Sequence, residues 1–405
     1  MLLSLLALVA CSDDDDDNRV VSPVQTAKHF TGAELELTFS GNKAVGKDIL
    51  FTPDANDATL ATLTFLGERF DVEAAMNNGS RNEEPAGFST SSVFAGEGEV
   101  TLPISMVIEG DKGTFEGSSE SKYYTYDYRG SVLENILTVE ISNVALKNKK
   151  FAGTEWNLEP IVKNDWGMVE SIPMKFEWES EKKLAIELFG TTTEYSMSQI
   201  MALVMSIGIV PGEDGKKITI PEIVSSMLQS VKFENDGNLA ASYVDMKTKQ
   251  PKTSPKGLAQ YVVVDDSKMK LVLNPFAIAA DAKKEPAADD NAEANPMGEM
   301  MKALTPEILK ALNADDKLTN GVDINYIVEG DKMTAFVDET LFLPVLKMFA
   351  PMLQNPDLIN TIVEAIKQNP DMAAMAPMIE SVLKQFPEVV NTTTKMEVGL
   401  KFVKK

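Results

Sequence analysis

Few side chains in this chain could do chemistry, and their types rule out several kinds of site. The 405 residues include one cysteine, Cys11, and one histidine, His29. A lone thiol and a lone imidazole cannot build a thiolate or two-histidine metal site. His29 sits beside a polar linker and reads as a solvated side chain. No Walker-type or dinucleotide-binding glycine pattern occurs. Phe176-Glu177-Trp178-Glu179 places two carboxylates on one strand face, roughly 7 Å apart, within reach of a glycosidase pair. Any half-exposed strand gives the same spacing, and a solvated face is expected. Tyr124, Tyr126 and Tyr128 share one strand face, so they form either a stacking platform for sugar rings or the aromatic lining of a β domain. Asp316 to Gly321 resembles a calcium loop only superficially, because Leu318 stands where an oxygen ligand belongs. Lys247, Lys249, Lys252 and Lys256 form the one basic cluster, which is either a contact for an anionic glycan or lipid head group or a solvated hairpin tip. The expectation is a protein without catalytic residues, metal or cofactor.

Cys11 ends an apolar run, Leu2 to Ala10, and is followed by Ser12, Asp13, Asp14, Asp15, Asp16, Asp17 and Asn18. A small residue and then cysteine after Leu8-Val9 resembles the lipobox of a bacterial lipoprotein precursor, in which the thiol is acylated and the chain is cut before it. The acidic block resembles the signal that, in Bacteroidota, sends lipoproteins to the outer face of the outer membrane. The resemblance implies a partial signal peptide over 1–10, Cys11 as the lipidated residue, Ser12 to Asp17 as the export signal, and the outer membrane as a partner held through the lipid. Secretory signals run about 15–30 residues with a basic start. Nothing positive precedes this apolar run, so the true start is expected upstream. A diacylglyceryl group with an N-acyl chain such as palmitate exceeds the two-signal threshold for stable anchoring.

Composition fits a globular body behind that anchor, with 44% hydrophobic and 24% charged residues. The net charge of -23 repels phosphate backbones, so nucleic acid is not an expected partner. The longest nearly unbroken apolar stretch, Ile200 to Val210, is too short to span a bilayer.

These side chains must be positioned by an α+β fold. Residues 11–28 read as a lipidated acidic tether. Residues 29–150 alternate like short strands and predict an antiparallel β barrel or sandwich, with a hairpin turn at Gly110-Asp111-Lys112-Gly113. Phe30-Thr31-Gly32-Ala33-Glu34 is echoed by Phe151-Ala152-Gly153-Thr154-Glu155, which places a boundary there. Residues 151–405 mix periods and predict an antiparallel sheet with packed short helices. The helices expected are Met197 to Val210, capped by Ser196, Pro221 to Val231, Met297 to Leu312, and a run ending at Phe386, with a disordered loop over 280–296.

The helical region is rich in methionine, an adaptable side chain that recurs where apolar ligands of variable shape are held. Met348, Met352, Met375 and Phe386 are the candidate lining of an apolar cavity, the alternative being an ordinary helical core that also takes in Met300, Met301 and Met372.

Further resemblance rests on Leu35-Glu36-Leu37-Thr38-Phe39-Ser40-Gly41-Asn42, on Phe51-Thr52-Pro53-Asp54-Ala55 with Ala61-Thr62-Leu63-Thr64-Phe65, and on Gly113-Thr114-Phe115-Glu116-Gly117. With the lipobox, these segments resemble a family of lipoproteins of about this length from gut Bacteroidales, of unknown function, whose N-terminal domains look like calycin-type barrels. The C-terminal half resembles, by architecture alone, a lipid-binding fold of the bactericidal/permeability-increasing type. The resulting expectation is a non-enzymatic surface lipoprotein of the outer membrane that binds an apolar or amphiphilic small molecule in its C-terminal domain. The alternatives are a carbohydrate-binding accessory protein of a glycan-uptake system and a structural or adhesive surface protein.

Overall fold

The computed structural model describes residues 20–71, 88–166, 169–188, 191–208, 210–211, 217–245, 248–282, 316–368 and 373–405. The signal segment, Cys11 with Ser12 to Asp17, and the helix expected over Met297 to Leu312 lie outside them. So do most of the 280–296 loop, Lys247, Met300, Met301 and Met372.

The chain is α+β and built mainly from antiparallel sheets. In its first part, strands alternate buried and exposed residues, as Glu99–Ser105 does at every position, because one face of each meets a second sheet. Lys28–Thr31, Lys47–Pro53, Leu60–Gly67 and Glu99–Ser105 make one sheet. Asn42–Lys43, Leu35–Phe39, Ile136–Leu146, Tyr124–Leu133, Lys112–Glu120 and Val107–Glu109 make the other, in that spatial order. Leu35–Phe39 and Ile136–Leu146 run parallel. The chain passes from sheet to sheet at the 3-10 turn Gly32–Glu34 and at Met106. The hydrogen bonding does not continue round these corners, so the barrel is not closed and the two sheets stack as a sandwich. The expected hairpin turn is present. Glu109 pairs with Lys112, and Gly110 takes the left-handed φ of +60° that this two-residue turn requires of its first residue.

Between the sheets lies a segment without helix or strand, Thr90 to Ala95, with every side chain buried. Phe94 is its centre. Its ring meets Phe39, Tyr124 and Tyr126 from one sheet and Phe65 from the other, at centroid distances of 4.5–6.0 Å. Backbone polar groups in such a place need partners. Lys47 supplies two, donating from Nζ to the carbonyls of Ser91 at 2.7 Å and Ser92 at 3.1 Å.

Val24, on the expected tether, is already 7% exposed and packed into the core. The folded body therefore takes in the last residues before Lys28–Thr31.

Among the described residues, no strand up to Leu146 pairs with one from Thr154 onward. The later part is organised by its last strand, Thr393–Lys404, which pairs with Lys332–Val337 on one side. On the other side it pairs with Met174–Ser180 and then Thr154–Leu158. Leu228–Phe233, Leu239–Val244 and Pro251–Thr253 extend the sheet one way. Val322–Glu329, Lys268–Leu273 and Ala259–Val263 extend it the other. The sheet curls until its ends meet, with an Asn238–Gln260 bridge and Tyr261 N donating to Gly237 O at 2.8 Å.

Ser196 caps the helix Met197–Ser206 through a capping box with Gln199. Both helices expected here are shorter than their patterns, the first ending at Ser206 with Val210 already in the strand Val210–Pro211. Ile220–Met227 ends where Leu228 enters the sheet, because pairing with Leu239–Val244 satisfies the backbone there. Residues 280–282, expected in a loop, continue the helix Pro275–Ala282.

One hydrophobic core runs from Val24 to Phe402 through both parts. At the seam, a Cβ on Gly237 would stand 2.8 Å from Tyr124 Oη, and one on Gly46 would enter the Phe276 ring. A second core lies around Trp178, between Met174–Ser180, Leu184–Leu188 and the helices Met197–Ser206, Glu339–Phe349 and Ala376–Asn391.

Candidate functional site

The large sheet has two unlike faces. Along Thr393–Lys404, the residues Met396, Val398, Leu400 and Phe402 point one way, and Lys395, Glu397, Gly399 and Lys401 the other. Register carries this pattern across the strands. Val337 stands opposite Val398, Ala335 opposite Leu400, and Met333 opposite Phe402. Ile324 pairs with Met269, and Leu271 with Tyr261. Curling of the sheet makes this apolar face concave.

The two ends of the concave face are covered differently. Met396 and Val398 pack into the helical core, whereas Phe402 and Met333 belong to the core shared with the sandwich. Next to Val398, Leu400 and Ala335 pack on the shared core but stay half-buried, and a cleft of about 250 Å³ opens there, walled also by Phe233 and Tyr261. Ala335 is a small side chain in its wall.

The tyrosines at its border turn their polar ends away. Tyr261 Oη donates to Glu234 O at 3.0 Å, and Tyr326 Oη to Asp265 O at 2.6 Å. Burial pushes the Tyr261 phenol upward, with Asp236 and Glu234 adding to the effect, so it stays neutral. A group seated here meets carbon and sulfur almost everywhere, and the gain on binding is hydrophobic burial.

The helical residues expected to line a cavity do not line this one. Met348 is half-buried on Glu339–Phe349, and Met352 is 47% exposed in the turn after it. Met375 is half-buried before the last helix. The Phe386 ring meets Trp178 edge-on at 5.8 Å in the helical core. The reason is placement, since these helices pack on one another and on the first half of Thr393–Lys404. The methionines in the cleft are Met269 and Met333, 4% and 1% exposed.

The tyrosine row offers no outward platform. Tyr124 and Tyr126 are 0% and 3% exposed, turned inward onto Phe94, and Tyr128 lies half-buried against Phe115 at 6.5 Å. Inward residues alternate with outward ones, and here the aromatic face is the inner one. Burial pushes the Tyr124 phenol well up, helped by nearby Glu97.

Glu177 is ion-paired, accepting from Lys395 Nζ at 2.9 Å beside Lys175 and Glu397. Lys395 holds its carboxyl below the usual range. This is a cross-strand ladder on the polar face. His29 is solvent-facing, with Nδ1 2.8 Å from Asp48. In the lysine-rich hairpin, Asp245 binds Lys252 and accepts from Thr248 N, and its carboxyl is held far below the usual range, first by Lys252. Asp316 to Gly321 includes one helical turn, Lys317–Asn320.

Among the described residues, no helix is long and apolar enough to cross a membrane, and no three His, Cys, Asp or Glu side chains are grouped to hold a metal ion. No family model, curated protein or solved structure matches the chain.

Proposed function

We propose that this chain is a non-enzymatic lipoprotein of the outer-membrane surface, and that it binds the apolar part of a small molecule in the concave cleft of its C-terminal sheet. The observation carrying the reading is the cleft itself, a space of about 250 Å³ walled by apolar strand residues, most of them packed on the shared core. An apolar cavity of about 150 Å³ suffices for benzene. This one is suited to an alkyl segment on the order of ten carbons, with any polar head left outside. A curved sheet with an apolar inner face also supports reading this half as a lipid-binding fold of the bactericidal/permeability-increasing type. The calycin-type reading of the first half rests on its sandwich of meandering strands. The anchor reading rests on Cys11 and the five aspartates behind it.

The test is binding of a medium-chain fatty acid or an environment-sensitive apolar dye to the full chain, together with mass spectrometry of molecules carried through detergent-free purification. Saturable binding that Ala335→Trp abolishes without changing the circular dichroism is the expected result. Binding that survives Ala335→Trp unchanged, or no binding at all, overturns the cleft.

A further inference from the structure

A second, chemically opposite space lies behind the cleft, at the seam between the two parts of the molecule. Adjacent residues reach opposite sides there. Leu239 and Tyr261 line the cleft, while Asn238 and Gln260 line a crevice beyond the bridge that joins them. The crevice also takes Lys43 and Lys47 from the sandwich, and Lys256 and Asn274 from the segments that flank strands of the large sheet. Its volume of about 50 Å³ exceeds the 10–15 Å³ that one water needs and suits a small oxyanion.

The lining is unusual for a chain of net charge -23, since it holds three lysines and four amides and no carboxylate. Several donors remain available. Lys47 uses two of its three ammonium protons on Ser91 O and Ser92 O. Lys43 and the Gln260 amide have no side-chain partner among the described residues. Asn238 is 3% exposed, and its carbonyl accepts from Gly257 N, leaving its NH2 free to donate. Asp236 forms a long ion pair with Lys256 at 3.9 Å, beyond hydrogen-bond range, and accepts from Asn238 N, while Glu68 acts on Lys47 from a distance.

We propose that this crevice binds an oxyanion, a phosphate or carboxylate group held by Lys43, Lys256 and the Asn238 and Gln260 amides, which ties the two parts together at the seam. The site is independent of the apolar cleft, because a sheet lies between them. Lysine serves such a group as a point charge, and an anion here would meet Lys43 and Lys256 at the crevice mouth and gain from both.

The experiment is titration of the full chain with inorganic phosphate at constant ionic strength set with chloride, read by calorimetry and by melting temperature. Saturable binding in the wild type, weakened at least tenfold in Lys43→Gln/Lys256→Gln and unchanged in Lys384→Gln on the last helix, is the expected result. Lys43 and Lys256 are surface side chains, so the double variant should melt like the wild type in chloride alone. No saturation beyond the chloride effect, or equal binding by the double variant, overturns the site. Equal weakening in Lys384→Gln would mean general charge screening and overturns it as well. Glycerol phosphate in a competing arm separates sources: displacement of phosphate assigns the site to a head group, and failure to compete assigns it to the free ion.

Discussion

Replacing Lys47 with methionine tests how the buried segment between the sheets is held. Lys47 is 7% exposed, and burial lowers its ammonium to about 8, with Glu68 opposing the shift. An unfolded lysine titrates near 10.4. Between these values the unfolded chain binds the proton and the folded one has released it, so stability rises with pH across about pH 8 to 10.4. A shift of this size corresponds to roughly 3 kcal/mol of penalty at neutral pH, of which roughly 2 to 3 kcal/mol is relieved by pH 10. The carbonyls of Ser91 and Ser92 act the other way by favouring the charged form, so these figures are upper values. Urea unfolding of wild type and Lys47→Met at pH 7, 8.5 and 10 measures the effect as the difference between the two, which cancels the response of every other group. At neutral pH the variant loses two charge-assisted hydrogen bonds, worth about 1.5–3 kcal/mol each, but no longer buries a charge. It should therefore be destabilised by about 1–3 kcal/mol, and the gap should widen as pH rises and the wild type gains. A gap that stays constant from pH 7 to 10 would show that Lys47 keeps an ordinary affinity for its proton and would refute the burial argument.

Gly237→Ala forces a methyl group against Tyr124 Oη at a backbone φ of +85° and should cost about 1–3 kcal/mol, lowering the melting of both parts together. If calorimetry shows only one transition moving, the core is not shared. Cys11→Ser should release the protein from the membrane fraction, and alanine at Asp13 to Asp17 should leave it anchored but protected from external protease. Shaving of the alanine variant from intact cells would refute the export signal. Fatty acid at about 100 times its dissociation constant should stabilise the fold by roughly 2.7 kcal/mol, and an unmoved melting temperature under saturating ligand would count against the cleft.

Local chemistry makes much of the fold legible in the sequence. The Gly110-Asp111 turn, the Ser196 cap and the alternation of Leu35, Leu37 and Phe39 depend on neighbours in sequence, and each lies where its pattern places it. The sheets change between Leu146 and Thr154, while one core runs through both parts. Which face of a strand turns inward is not legible, because a period of two fixes the alternation and not the side. Tyr124 and Tyr126 are buried because a second sheet and Phe94 cover them.

The cleft shows the same division. Alternation of Met396, Val398, Leu400 and Phe402 with charged residues is visible in the sequence and marks an apolar strand face. The methionine-rich helices carry the stronger compositional signal and draw the expected site toward Met348, Met352, Met375 and Phe386. Sequence by itself determined the residue inventory, the turns and caps, and which residues share a face. Tertiary structure alone decided that the large sheet curls and leaves Ala335 and Leu400 half-buried beside a cleft in the shared core. A void of that kind depends on the distance between elements far apart in the chain, and no local pattern encodes that distance.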